Sequence, residues 1–263
     1  MKIRKFWYLL LLLPLLILGG CKNQASKKAP APLTKAEAIK IAGKSFKSGQ
    51  VIQSLKLSSD TSSQVVIANT IFGGERATFH INNQISSEGK TRHSEIWVNS
   101  NHLYMNGSST WYKADLEKMT SHTYADVVAA IYNNPILTDP SQINYKFSKK
   151  KTLYTLTGKT TDAKMIKAFI DSIASSLPQS TNQADVLSRI QKYSKNSALT
   201  VELSIRNRKL VGANFFVNAK FGKLMKVRWG QSFGNFGSHD FLKVPTNVLA
   251  AKPLPTTKST KKN

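Results

Sequence analysis

Cys21 is the only cysteine among the 263 residues, so it provides the only thiol for nucleophilic, redox or metal chemistry. It follows a segment with the layout of a secretory signal peptide, in which basic residues precede a short apolar stretch and small residues. The apolar stretch runs from residue 6 to residue 17 and is interrupted only by Pro14. It is shorter than the roughly 20 apolar residues needed to cross a bilayer. The sequence therefore predicts export of the chain.

The run Leu18-Gly19-Gly20-Cys21 resembles the lipobox of bacterial lipoproteins. The resemblance implies that residues 1–20 are a lipoprotein signal peptide cleaved just before Cys21, whose thiol receives a diacylglyceryl group. Two acyl chains hold a protein firmly on a membrane, whereas one gives only marginal binding. The resulting thioether would leave no thiol for a disulfide, a nucleophile or a metal ligand. The alternatives are a free cysteine behind an ordinary signal peptide, or an uncleaved signal anchor.

The chain is strongly basic, with 38 Lys plus Arg against 14 Asp plus Glu and a formal net charge of +24. Removing residues 1–20 takes away three positive charges and leaves +21. Such a balance favours a polyanionic partner. For an exported protein, the available polyanions are anionic lipid headgroups and wall polymers rather than nucleic acid.

Composition divides the chain into a tether, one domain and a tail. Residues 21–33 are small, polar and cationic, which is typical of a flexible tether behind the lipidated cysteine. Residues 34–250 have ordinary globular composition and enough length for one domain with a sizeable core. Residues 251–263 form a similar basic tail that we predict to be disordered.

Helices are predicted where apolar residues recur at helical spacing. Thr34 and Glu37 have the spacing of a capping box, which predicts a helix from residue 35 to about residue 48. Further helices are predicted over residues 124–133, 162–177 and 184–193.

Strands are predicted where apolar and polar residues alternate. These segments are residues 77–85, 95–98, 103–105, 110–113, 143–148, 153–158, 199–205, 211–217 and 225–229. Asn106-Gly107 is a strong turn signal between two of them. Consecutive strands joined by short turns pair antiparallel, with one apolar face. The sequence therefore predicts an α+β fold with one curved antiparallel sheet whose apolar face wraps the helices.

Three groups of strand residues resemble Gram-positive lipoproteins of the LolA/LppX-like superfamily. They are the aromatic strands Ile96-Trp97-Val98, Leu103-Tyr104-Met105 and Trp111-Tyr112-Lys113, the strand at 153–158, and the closing segments at 233–236 and 241–245. The resemblance implies a strongly curved half-open barrel with helices on its concave face, often with a cavity for a lipid or another hydrophobic guest. It carries over no set of binding residues.

Motifs for catalysis or metal binding are weak. Gly43-Lys44-Ser45 lacks the earlier glycine and the preceding strand of a phosphate-binding loop. Residues 237–240 contain the residue types of a hydrolase triad, but side chains adjacent in sequence do not converge as a triad requires. The five histidines show no metal-ligand spacing. We therefore predict a protein that is not an enzyme, with no cofactor and no metal site.

The sequence supports two functional hypotheses. In the first, a lipoprotein anchored on the extracellular face of the cell membrane binds or carries a lipid or another amphiphile between sheet and helices, with lysines at the mouth holding an anionic headgroup. The predicted lining residues are Phe79, Ile81, Val201, Leu203, Phe215, Val227 and Trp229. In the alternative, a cell-wall-associated interaction or scaffold protein holds anionic wall polymers or a protein partner through its basic surface.

Overall fold

The computed structural model describes residues 31–43, 46–74, 77–174, 192, 197–221 and 225–255. Its main feature is one open sheet of twelve strands, in the order β12-β6-β5-β4-β3-β2-β1-β11-β10-β9-β8-β7. The strands are β1 (Gly49–Ser58), β2 (Ser63–Gly73), β3 (Thr78–Ser87), β4 (Lys90–Val98), β5 (His102–Asn106), β6 (Trp111–Asp115), β7 (Tyr145–Lys150), β8 (Leu153–Thr160), β9 (Ser197–Arg206), β10 (Lys209–Phe221), β11 (Met225–Gly234) and β12 (Lys252–Pro253). Neighbouring strands are antiparallel except for the two-residue pairing of β12 with β6.

The helices supply apolar side chains to the core on the inner face of this sheet. They are α1 (Lys35–Ala42), α2 (Leu116–Thr120), α3 (Tyr124–Tyr132), α4 (Pro135–Thr138), α5 (Ala163–Ala174) and α6 (Thr246–Leu249), with a 3₁₀ turn at Pro140–Gln142. Helix α6 is the exception, because its Val248 belongs to a second cluster. The predicted fold class, a single curved antiparallel sheet with helices on its concave face, is confirmed.

Strand β9 shows how alternation in the sequence becomes a two-faced strand. Its residues 197, 199, 201, 203 and 205 are buried, and the residues between them are half-buried or exposed. Alternation over the predicted strand 211–217 puts Val211 on the same inner face as Ala213, and this prediction is wrong. A β-bulge between Leu210 and Gly212 inserts one extra residue into β10 and leaves Val211 41% exposed. A bulge of this kind changes the face to which preceding residues point.

The predicted capping box begins α1. The Glu37 amide donates to Thr34 Oγ1 at 3.2 Å, and the Thr34 amide donates to Glu37 Oε2 at 2.8 Å. The hydrogen bonds that Glu37 accepts from Thr34 hold the pKa of Glu37 below its ordinary value, and the bond from the Thr34 backbone has the largest effect. Helix α1 ends at Ala42, short of the predicted end near residue 48.

A second apolar cluster lies on the outer face of the sheet. Trp97 and Tyr104 are buried there under Val248 and Ala251. The Leu254 amide also donates to the Lys113 carbonyl at 2.9 Å, beside the β12–β6 pairing. Residues 251–255, which the sequence assigned to a disordered tail, therefore belong to the folded region.

The folded unit begins at Leu33, which is itself buried in the core. The signal peptide, Cys21, most of the predicted helix at 184–193, and residues 256–263 lie outside the described residues. Strands β1 and β2 were not predicted, yet they occupy the centre of the sheet.

Candidate ligand cavity

A cavity of about 100 Å³ lies between the inner face of β1–β5 and the short helices α2 and α3. Its wall is largely apolar, with a few amides and hydroxyls. The lining residues are Gln53, Ala68, Thr70, Phe79, Ile81, Asn83, Ile96, Val98, Leu103, Leu116, Thr120, His122, Val127 and Ile131.

The inward-facing residues of β1–β5 form the floor of the cavity, and the alternation of side chains along each strand positions them. Every second residue of β3 points inward, which brings Phe79, Ile81 and Asn83 to the lining. The register pairs Ile81 with Ile96 of β4, and Phe79 with Val98. The floor is therefore built from directly opposed apolar pairs, which is the arrangement that stabilises neighbouring strands.

Helices α2 and α3 form the roof of the cavity; both are short and both begin with a capped end. Asp115 caps α2 by accepting from the Lys118 amide at 3.0 Å. Thr123 begins α3 with a capping box, and its hydrogen bonds hold the pKa of Asp126 below the ordinary value. Between the two helices, Ser121 adopts a left-handed conformation with φ of 58°. The roof therefore comprises two short helices joined by a tight turn.

The roof and the floor of the cavity each combine buried and half-buried side chains, with Leu116 and Ile131 of the roof buried and Ile81 of the floor half-buried. Phe79 is fully buried, whereas Val127 of α3 is only half-buried. Tyr124, at the start of α3, packs against Phe79 with ring centroids 5.9 Å apart, and burial raises the pKa of Tyr124 to about 12.

A buried polar group lies beside the cavity. Asn134 accepts from the amides of Ile136 and Leu137, so its Nδ2 group is the one that donates to Gln231 Oε1, at 3.1 Å. This orientation leaves Gln231 Nε2 without an acceptor among the described residues. In the sheet register Gln231 is the direct partner of Gln53, which lines the cavity.

An unsatisfied buried donor costs about 1–3 kcal/mol. The Gln231 amide therefore favours an oxygen acceptor, either from a water molecule or from a ligand.

The structure separates the predicted lining residues into two groups. Phe79 and Ile81 line the cavity. The other five lie on β9–β11 in the other half of the sheet, where each is at most 3% exposed and none is among the described lining residues: Val201, Leu203, Phe215, Val227 and Trp229.

Sequence reasoning missed the lining residues from β2, α2 and α3. Ala68 and Thr70 carry the signal of alternation, but they are small or polar. Val127 and Ile131 have helical i,i+4 spacing inside a predicted helix, yet the sequence does not show which strands this helix covers. The sequence also predicted lysines at the mouth of the cavity, but no lysine is among the described residues that line it. The polar residues of the lining carry neutral amides or hydroxyls, apart from His122.

The cavity volume limits what it holds. Pockets for drug-sized ligands measure about 300–1,000 Å³, and an apolar cavity of about 150 Å³ accommodates benzene. At about 100 Å³, this cavity takes a small apolar group unless α2 and α3 move outward.

Two further properties concern the described part of the chain. Within that part of the chain, no group of three or more His, Cys, Asp or Glu side chains is arranged to hold a metal ion. No described helix combines the length and the apolarity required to span a membrane.

The fold and the cavity define an open antiparallel half-barrel with helices on its inner face. No protein-family model matches the chain, and no curated protein is significantly similar to it. The chain is similar to the crystal structure of LprF from Mycobacterium bovis, with 15% identity and a TM-score of 0.45 over 81% of this chain and 98% of that one. It is also similar to a beta-barrel-like protein of a domain of unknown function, DUF1849, from Brucella abortus, with 7% identity and a TM-score of 0.24 over 73% and 99% of the two chains. Similarities at this level do not assign the chain to a family.

Proposed function

We propose that this protein is a membrane-anchored extracytoplasmic lipoprotein that binds an amphiphile with its apolar part in the cavity under α2 and α3. The observation that carries the proposal is a largely apolar pocket between the inner face of β1–β5 and the short helices α2 and α3. Each methylene buried there contributes about 0.8 kcal/mol. Because the cavity is small, a long acyl chain enters only as the roof moves outward. The protein acts by binding, without a catalytic step.

The buried amides support a ligand that also carries an oxygen acceptor. In this proposal the apolar part packs on Phe79 and Ile81, and an ester or carboxyl oxygen lies near Gln53, where it accepts from Gln231 Nε2. An acceptor in that place removes the cost of the unsatisfied donor. The proposal therefore favours lipids with a carbonyl group over pure hydrocarbons.

Filling the cavity tests the binding proposal. Ala68→Leu adds three carbon atoms at the cavity wall, and Ala198→Leu adds the same atoms on the outer face of β9. The probe is cis-parinaric acid, whose fluorescence rises in an apolar site. We expect saturable binding by the original chain and by Ala198→Leu, and a loss of at least about tenfold in affinity for Ala68→Leu. Equal binding by all three proteins would place the ligand elsewhere and reject the cavity.

A separate experiment tests the anchor. Cys21→Ser should release the cleaved protein into the medium or leave the leader uncut. Cell fractionation with an antibody against the folded domain measures both outcomes. Retention of cleaved Cys21→Ser protein on the membrane would show that the thiol is not the anchor.

A further inference from the structure

One end of the sheet carries a row of basic residues. The β7–β8 and β9–β10 turns lie at the same end because these four strands are consecutive and antiparallel. The register pairs Lys150 with Leu153, Leu153 with Arg206, and Arg206 with Lys209. Three exposed basic side chains therefore lie on one line across four strands.

The two turns add further cations to this row. Lys151 and Arg208 occupy the turns with left-handed φ angles of 55° and 57°. Lys149 Nζ lies 5.2 Å from the centre of the Tyr154 ring. Glu37 Oε1 lies 3.5 Å from Arg208 Nη1, so the Glu37 carboxylate offsets part of the positive charge of this row. We call the exposed residues Lys149, Lys150, Lys151, Arg206, Arg208 and Lys209 the cationic edge.

The folded domain begins next to the cationic edge. The Leu33 amide donates to Tyr154 Oη at 3.3 Å. This bond and the nearby Lys149 and Arg208 cations lower the pKa of Tyr154. Leu33 is 12 positions after Cys21 in the sequence, and a chain of 12 residues spans at most about 40 Å. Attachment through Cys21 would therefore keep this end of the sheet within about 40 Å of the bilayer.

An exposed aromatic residue lies at the same end. Phe241 is 93% exposed and follows the loop after β11. That loop is fixed to the start of β1, because the Gly237 amide donates to the Ser48 carbonyl at 3.1 Å and the His239 amide donates to Ser48 Oγ at 3.2 Å. The loop therefore holds Phe241 at this end of the sheet while leaving its ring outside the core.

An open groove links the loop to the cationic edge. It has a volume of about 500 Å³, and its lining includes Lys47, Arg208, Lys209, Phe236 and Asp240. Asp240, in the loop after β11, accepts a hydrogen bond from Ser48, which ties its carboxylate to the start of β1. Cations and exposed aromatic surface are thus adjacent at one end of the molecule.

We propose that this end of the sheet is a docking face for an anionic bilayer surface. The cationic edge contacts lipid phosphates, and Phe241 enters the interface between headgroups and acyl chains. Basic residues near an anionic surface and aromatic residues at the interface both favour membrane binding. This orientation goes beyond the proposed function. It rests on that function only for the lipid anchor at Cys21, which places the protein at the membrane.

The experiment removes the anchor so that only the docking face is tested. Residues 21–263 with Cys21→Ser contain the whole folded unit that begins at Leu33. Binding is measured by cosedimentation with vesicles of phosphatidylglycerol and phosphatidylcholine. The test variant is Lys150→Gln/Arg206→Gln/Lys209→Gln. The matched control is Lys90→Gln/Arg92→Gln/Lys226→Gln, which removes the same charge from exposed residues at the opposite end of the sheet.

We expect the test variant to lose on the order of 10- to 100-fold in partitioning, because each basic residue near an anionic surface contributes substantially. The control variant should lose less than about threefold. Equal losses would show that net charge, rather than this face, drives binding. Binding of the chain to anionic wall polymer but not to vesicles would also overturn the proposal and favour the scaffold hypothesis.

A site-specific probe gives a second measurement. The Cys21→Ser chain has no cysteine, so Phe241→Cys and Glu88→Cys each introduce one labelling site, at the docking face and at the opposite end. With an environment-sensitive fluorophore attached, we expect a blue shift on vesicle addition for position 241 and none for position 88. A blue shift at both positions, or at position 88 alone, would contradict the orientation. Failure of this test leaves the cavity proposal intact, because neither label touches the cavity.

Discussion

The two halves of the sheet are built from similar strands but packed differently. In the half formed by β8–β11, side chains such as Leu203 and Phe215 are fully buried in a filled core. In the half formed by β1–β5, the inner face borders a cavity of about 100 Å³ under α2 and α3. We call these the filled half and the hollow half. The two halves also differ in the helices that cover them.

The covering helices differ in length and in their apolar stripe. Helix α5 places Ile166, Phe169 and Ile170 on one buried stripe, and the Phe169 ring centroid lies 5.8 Å from that of Phe215. Helices α2 and α3 are only 5 and 9 residues long. A long amphipathic helix with large side chains fills the space above the strands, whereas two short helices leave a gap.

The largest expected effect is a loss of stability in the filled half. Phe215→Ala removes a fully buried ring and should lower the free energy of unfolding by about 3–5 kcal/mol. Ile81→Ala in the hollow half should cost less, about 1–2 kcal/mol, because one side of Ile81 already faces a void. Urea unfolding followed by circular dichroism measures both. Equal costs would show that the two halves are packed alike.

Enlarging a buried side chain should also cost more stability in the filled half than in the hollow half. Ala213→Leu overpacks the filled half and should cost about 1–3 kcal/mol, since Ala213 is fully buried. Ala68→Leu extends into the cavity and should change stability by less than about 1 kcal/mol. Unfolding midpoints of the two variants give the comparison. A strongly destabilised Ala68→Leu protein would show that the cavity does not accept three extra carbon atoms.

The filled half was the more predictable of the two. Apolar and polar residues alternate along most of β9–β11, and few residues separate these strands in the sequence. The local sequence therefore determines both where the strands form and which side chains face inward. The exception was Val211, because a bulge depends on how two strands pair and not on the sequence of one. The capping box at Thr34 was also predictable, since its hydrogen bonds are local.

The hollow half depended on long-range pairing that sequence patterns do not show. Strand β1 mixes polar and apolar residues on its inner face, where Val51 and Gln53 are both buried, so its period is weak. The cavity forms only when β3 pairs with β2 and β4 and when α3 lies across them. Phe79 and Ile81 were identified from alternation alone, but alternation does not distinguish residues beside a void from residues in a filled core.

Helix capping gives a smaller test of the same contrast. Thr34→Ala and Thr123→Ala each remove a capping box and should cost about 1 kcal/mol. Thr123→Ala should also speed hydrogen exchange of α3 amides over the cavity, because the capping box holds the first turn of that helix. Thr34→Ala should leave α3 exchange unchanged. Hydrogen exchange read by mass spectrometry separates the two, and unchanged α3 exchange in Thr123→Ala would show that the roof opens only with global unfolding.

The smallest effect expected is a pH dependence of the roof. Hydrogen bonds from the Thr123 side chain and backbone lower the pKa of Asp126 in the folded state, so its contribution to stability is present above its ordinary pKa of about 4 and is lost as the pH falls below that value. We therefore expect α3 to open more often in acid, seen as faster exchange after correction for the intrinsic pH effect. Asp126→Asn should remove this dependence, whereas Asp171→Asn on α5 provides a control on the filled half. If the original protein and Asp126→Asn lose α3 protection in parallel as the pH falls, the carboxylate does not hold the roof closed.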